Sequence, residues 1–323
     1  MFVIKFRKYF LALGAIIAVA SLLIIFTLNL NLGIDFTGGA LTEVTYEEKP
    51  DKAELETTID TLSLGGYSLR ESVSDTGQAG YILRTRDLSE AERTTVASVL
   101  TSSGTNGTIT RYTSIGPVIG EELKQKAKWA IVAVVIMIIL YVAFAFRRVS
   151  YPLGSWVYGG ITIVSLIHDV LVPTAMMSLL GYFMGVEIDV LFVMAILAIL
   201  GYSVNDTIVI FDRVRENLDL YRQEKKRKIK IEGDIQRETI EYTLTKPFNE
   251  IVGMSVSQTM TRSLNTSGTT LIALIALYFV GGAAVANFAL VLIVGIIAGT
   301  FSSICLANPL LTYIAERKLK KTE

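Results

Sequence analysis

A single cysteine, Cys305, and a single histidine, His168, are all that this chain of 323 residues offers for thiol or imidazole chemistry. One cysteine closes no disulfide within a chain and builds no thiolate metal site, and one histidine cannot supply several imidazoles to a metal. His168 lies inside an apolar run, so an exposed Ser-His-Asp triad is excluded as well. The chain is expected to be no enzyme and to hold no metal or other cofactor. Net charge is missing too, with 30 Lys and Arg against 30 Asp and Glu.

What is abundant is apolar sequence. Hydrophobic residues make up 51% of the chain and gather into runs at 9–30, 129–146, 156–180, 187–211, 256–280 and 287–311. Runs of about 20 residues match the hydrocarbon thickness of a bilayer and imply an integral membrane protein. The first run follows the basic segment MFVIKFRK but exceeds a signal-peptide core. No small-x-small cleavage site precedes Asn31, so it is expected to be a retained span.

The charges are segregated. From Asp35 to Lys128 there are 15 acids against 10 cations, a net of −5, while the other 20 cations lie in the N-terminal segment, the Arg147-Arg148 pair, the 212–262 region and the tail. The positive-inside rule then places both termini in the cytoplasm and the acidic segment outside. That segment alternates as strands 41–47, 67–73, 79–85 and 108–115 with helices 52–63 and 88–101. Asp51 and Ser89 are candidate helix caps, with Glu92 at capping-box spacing, and Asp75-Thr76-Gly77 marks a hairpin. The order βαββαβ is the ferredoxin-like one. No cofactor fingerprint or paired-acid site stands out in it, and a free sheet edge remains a platform for strand addition.

The expected fold is an α-helical polytopic membrane protein of six transmembrane helices with one extracytoplasmic α+β ferredoxin-like domain. Its parts are an N-terminal segment and first span (1–34), the outer domain (35–125), spans two to four (126–211), a charged cytoplasmic loop (212–255), spans five and six (256–311) and a basic tail (312–323). The loop contains RQEKKRKIKIEGDIQRE and is expected to be partly helical and either solvated or in contact with anionic lipid head groups, rather than with nucleic acid.

Asp206 is the puzzle of the fourth span, since an ionised carboxylate in hydrocarbon costs roughly 2.5 to 3.5 kcal/mol on insertion scales. It is either a proton or ion relay facing other helices, or a neutral hydrogen-bonded packing residue. On a helix it shares a face with Tyr202, Ser203, Ala198 and Ala195. His168 and Asp169 interrupt the third span, and Asp169 is either a second relay carboxylate or a hydrogen-bonding partner for a neighbouring helix. Adjacent residues diverge on a helix, so these two are not expected to face one partner squarely. Arg262, near the start of the fifth span, lies at a depth compatible with pairing to Asp206, or else snorkels to lipid phosphates. GTFSS in the last span would let helices approach closely.

Several strings, in order, resemble the SecF family of bacterial protein-export subunits, within the SecD/SecF group of the resistance-nodulation-division superfamily. They are GIDFTGG, GPVIGEEL, HDV, GYSVNDTIVIFDRVREN and RSLNTSGTT, and they extend over nearly the whole chain. The resemblance implies a six-span unit that pairs with a homologous SecD unit, associates with the SecYEG channel and YajC, and uses the proton motive force to help preproteins cross. By motif position Asp206 is similar to the proton-relay carboxylate of the family and Arg262 to the arginine that works with it. Tyr202, Ser203, Asn205, Thr266 and Ser267, in the same strings, are candidates for supporting hydrogen bonds. The inner loop is longer than is usual in the family. Two other uses stay open: a proton-driven exporter of lipids or small hydrophobic molecules, and a non-catalytic scaffold for SecD.

Overall fold

The computed structural model describes residues 2–74, 77–147, 152–231 and 235–319. Asp75 and Thr76 of the expected hairpin, Arg148 and the last four residues of the basic tail lie outside the described residues. In chain order the elements are α1 (Phe2–Lys5), α2 (Arg7–Leu28), α3 (Ile34–Thr37), β1 (Gly39–Thr45), α4 (Lys52–Asp60), β2 (Ser68–Val73), β3 (Ala79–Thr85), α5 (Glu90–Ser102) and β4 (Thr108–Ile115). There follow α6 (Pro117–Ala145), α7 (Ser155–Met184), α8 (Val190–Tyr221), β5 (Arg222–Ile231), β6 (Ile235–Leu244), α9 (Phe248–Val280), α10 (Ala283–Ser302), a π-helical turn (Ser303–Ala307) and α11 (Asn308–Leu319).

Among the described residues six helical stretches are long and apolar enough to cross a membrane: α2, α6, α7, α8, α9 and the run Val285–Lys318 through α10 and α11. The chain is a multi-pass membrane protein. Within their most apolar windows 44% of α7, 44% of α8 and 56% of the last span are buried, against 11% of α2, 6% of α6 and 11% of α9. Three helices thus form the centre, and α9 leaves most of its surface open.

The segment after α2 folds as a four-stranded antiparallel sheet in the order β2-β3-β1-β4. Val44 opposite Tyr81 in the central pair helps build a core with Leu55 and Ile59 of α4 and Val96 and Leu100 of α5. Both large phenols are tied down as they are buried: Tyr46 donates to the Leu100 carbonyl at 2.7 Å and Tyr81 to that of Pro50 at 2.7 Å. Burial pushes the Tyr46 hydroxyl up to about 12. The caps are those the sequence signals, with Asp51 accepting from Ala53 N and Ser89 and Glu92 forming a reciprocal capping box.

Helix ends depart from the apolar runs. The second helix begins at Pro117, ahead of its apolar run, because a proline at the first turn forgoes only an N–H that has no partner there. The third helix runs unbroken through Pro173, itself buried, where the missing N–H costs one bond inside the helix. The fourth extends past Phe211 to Tyr221, and the fifth begins at Phe248 rather than Val256. Between them the expected helical loop is instead a ten-rung antiparallel hairpin, Arg222 opposite Leu244 through Ile231 opposite Ile235. The alternation in KIKI and TIEYTL has period two, and that period suits strands.

Candidate functional site

Asp206 sits in the middle third of α8, 5% exposed, and its Oδ2 accepts from Ser267 Oγ of α9 at 3.4 Å. Ser267 in turn accepts from Thr300 Oγ1 of α10 at 2.7 Å. One turn before Ser267, Ser263 is buried on the same face of α9. Tyr202 donates to Thr270 at 3.2 Å rather than to Asp206. Among the described residues no cation pairs with Asp206. Arg262 is exposed, and the expected pair does not form: Ser263 and Ser267 occupy the surface of α9 that meets Asp206, and Arg262 lies on the neighbouring one. Thr266 turns back to the Arg262 carbonyl at 2.9 Å, and Asn205 is exposed on α8.

A second carboxylate lies deeper. Asp169 of α7 is fully buried, and its Oδ2 accepts from Ser203 of α8 and from Ser302 of α10, the latter at 2.9 Å. The His168 ring, despite being the next residue, brings Nδ1 to 3.1 Å from Asp169 Oδ1, so the two do converge. Among the described residues its Nε2 has no hydrogen-bond partner, and the ring leans on Phe301 at 5.8 Å. Close approach of α10 makes this possible. A Cβ at Gly299 would stand 3.0 Å from Ser203 Cβ and Oγ, and one at Gly295 would meet Ile199 at 2.2 Å. Immediately after Ser302 the helix loosens into the π turn, where Ser303 Oγ lies 2.9 Å from Thr207 Oγ1 of α8 and its carbonyl accepts from Asn308 Nδ2 at 2.6 Å. Such single π turns are often found at functional sites.

The N-terminal end of α8 is clasped to the sheet domain. Gly33 N donates to the Ile188 carbonyl and Ile188 N to that of Asn31, both at 2.8 Å, while Asn31 Nδ2 reaches the Gly185 and Val186 carbonyls at 3.1 Å. Arg84 of β3 donates to Glu187 Oε1 at 3.2 Å, to the Leu32 carbonyl at 3.0 Å and to Thr37 Oγ1 at 2.5 Å. Arg70 of β2 approaches the same Glu187 oxygen at 3.8 Å. Two carboxylates then cap α8: Asp35 of α3 accepts from Val190 N and Asp189 from Phe192 N, both at 2.9 Å. The helix that carries Asp206 is thus held at its N-terminal end by strands and α3 of the sheet domain.

Burial, and then repulsion from Asp35, push the Asp189 carboxyl up from its ordinary value. Its ionised form is disfavoured in the folded protein, so its effect on stability is most favourable in acid and is lost as pH rises through the folded value. Asp189→Asn keeps an acceptor for Phe192 N and removes the charge. The variant should melt above the wild type at neutral pH in a detergent thermal-unfolding assay, with the gap closing as pH falls towards about 4. A gap that stays constant with pH would assign the effect to something other than this charge.

Residues 95–317 match the model of the family described as protein export membrane protein SecD/SecF, C-terminal, and residues 23–49 match the SecD/SecF GG motif. A protein translocase subunit SecF from Thermobaculum terrenum is 35% identical over 320 residues, 96% of this chain and 92% of that protein. The chain belongs to the SecF family of protein translocase subunits. Beyond SecF proteins it is similar to longer ones named SecDF: that of Thermus thermophilus is 33% identical, with 96% of this chain matching 38% of the relative. The crystal structure of that organism's SecDF, titled a translocon-associated membrane protein, superposes on 97% of this chain and 38% of its own with a TM-score of 0.79 at 30% identity. In SecF terms the GG-motif match contains Asn31, Gly33, Asp35 and Gly38-Gly39, and the C-terminal match contains both buried carboxylates.

Some of the site was missed from sequence. Thr207, Thr300, Ser302 and Ser303 were legible only as small polar residues suited to helix packing, and nothing local says that two of them reach carboxylates or their partners. Asp35, Arg84 and Glu187 read as ordinary charges of an exposed segment. The signal that could have found Asp35 is its place in GIDFTGG, between a span and a double glycine.

Proposed function

We propose that the chain is a proton-coupled accessory subunit of the Sec protein-export machinery, acting with SecD in the bacterial cytoplasmic membrane to promote late preprotein translocation. The observation that carries this is Asp206: a buried carboxyl inside a candidate span, met among the described residues by hydroxyls, on a helix whose N-terminal end is clasped to the sheet domain. Asp206 is the relay carboxyl. Ser267 and Thr300 hold it in one arrangement, and Arg262 pairs with it in another.

Successive helical residues differ by about 100° around the axis, so a rotation of α9 against α8 exchanges the Ser263 and Ser267 surface for that of Arg262. Proton uptake favours the hydroxyl-held arrangement and proton loss the cation-paired one. Through Asp35, Glu187 and Arg84, a shift of α8 reaches the sheet domain and changes how it holds an emerging chain. His168 and Asp169 brace α7 against α8 and α10 in both arrangements. Ser203 serves that brace, Tyr202 ties α8 to α9, and Asn205 and Thr266 lie on exposed surfaces suited to a partner.

The strand order and all-antiparallel pairing support a ferredoxin-like reading of the outer domain. The distribution of Lys and Arg supports cytoplasmic termini. SecD supplies the homologous half: Arg262 on the open face of α9 is costly in hydrocarbon unless a neighbour covers it, and the longer SecDF relatives carry more chain beside the matching segment. SecYEG and YajC are the further partners, with preprotein as substrate.

The test is export of a slow-folding preprotein into inverted vesicles holding SecYEG and SecD, with or without this chain, before and after the proton gradient is collapsed. The gradient-dependent component should appear only where the chain is present. Equal export in its absence would sink the proposal.

A further inference from the structure

A pocket of about 680 Å³ opens where α1 and the start of α2 meet the first turn of α9, lined by Ile4, Lys5, Arg7, Lys8, Tyr9, Asn249 and Glu250. It lies at the ends of two membrane spans, hence at a membrane boundary. Its charges do not cancel. Arg7 is taken up by a two-pronged pair with Glu316 of α11 at 2.6 Å on each oxygen, and Glu250 is 3.7 Å from Lys246. Lys5 and Lys8 are exposed and make no ion pair among the described residues; Lys5 lies only 5.8 Å from the Phe6 ring.

The start of α9 carries Glu250 in its first turn, which offsets part of the positive helix end. Its cap position is Pro247, which makes no side-chain hydrogen bond to the helix, so the positive end of a 33-residue helix is left without a capping side chain beside the pocket. Phe2, Phe6 and Tyr9 stand exposed alongside as a cluster of contacting rings. Two ammonium groups without an ion pair among the described residues and an aromatic shelf at a membrane boundary suit a ligand with an anionic head and an apolar tail.

We propose that this pocket binds the phosphodiester head group of an anionic phospholipid, held by Lys5 and Lys8 with its acyl chains along the aromatic shelf. The site joins the start of α2 to the start of α9, and it stands independently of the proton-relay reading.

The test uses the full-length, delipidated protein and follows lipid retention by native mass spectrometry and thermal midpoint in detergent. Phosphatidylglycerol should be retained and raise the midpoint, while phosphatidylcholine should do neither. Lys5→Gln with Lys8→Gln should weaken phosphatidylglycerol binding about thirtyfold. Lys5→Arg with Lys8→Arg should preserve it, which separates charge loss from misfolding. Lys124→Gln with Lys126→Gln, at cations already paired on α6, should leave it unchanged. Equal retention of the two lipids, or full binding by the Lys5→Gln and Lys8→Gln protein, would overturn the site. So would an equal midpoint shift from inorganic phosphate alone, since it would show a free-phosphate site with no role for the lipid tail.

Discussion

Asp206→Asn is expected to abolish the gradient-dependent part of preprotein export while leaving the gradient-independent part and the abundance of the protein intact. Asparagine nearly matches the volume of the side chain, and its Oδ1 can still accept from Ser267 Oγ, which meets the carboxylate at 3.4 Å. What it removes is the exchangeable proton. A buried carboxyl that only packs would lose little by this exchange, because the partner it meets among the described residues is a hydroxyl that can be kept. A carboxyl that takes up and releases protons loses its whole function. The expected loss is therefore tenfold or more in the gradient-driven rate, with the thermal midpoint held within the range of ordinary substitutions, about 1 kcal/mol. Export that responds to the gradient as in wild type would make Asp206 a packing residue and favour the scaffold reading.

The lone charge of Asp206 was legible because an apolar run offers nothing to hide it, and the same logic exposed Asp169. Its partners were not legible. Ser203 and Ser302 lie 34 and 133 residues from Asp169, and only the packing of α7, α8 and α10 brings them together. The Asp206–Arg262 pair is absent from this arrangement for a reason of helical geometry. Arg262 and Ser267 are five residues apart, about 140° around the axis, so the helix cannot turn both toward Asp206 at once.

Depth in the membrane was the wrong coordinate, and direction around the helix was the one that mattered. Helix ends were misjudged for a related reason. Apolarity stops at Phe211, but ion pairs of Asp212 with Arg215 and Arg213 with Glu216 continue the helical spacing in water. The elements of the sheet domain were read to within a few residues, since short alternating strands and capped helices carry their signals locally.

Gly39→Ala is expected to break the junction between the two domains. Gly39 has φ +123°, a backbone that L side chains rarely adopt, and a Cβ there would stand 2.5 Å from the Thr85 carbonyl oxygen on the paired strand. Neither group can yield, because Ala40 is paired with Thr85 in the central ladder. Gly38, at φ +70°, meets Pro117 Cα at 2.7 Å by the same construction, and Gly120 meets Gly38 N at 2.8 Å. Three glycines thus let α3, β1 and α6 approach within backbone contact.

Backbone strain and overpacking together cost about 2 to 6 kcal/mol, comparable with the whole stability of a modest domain. The variant should show a much lower thermal midpoint and early proteolytic release of the sheet domain. Gly66→Ala, where an added Cβ meets nothing within 4 Å, should behave as wild type. Because α3 carries Asp35, the cap of α8, gradient-driven export should fail in the Gly39 variant even where some protein survives. Wild-type export by a protein whose sheet domain has come loose would mean that α8 works without its outer clasp, and the domain would then be a passenger rather than the moving part.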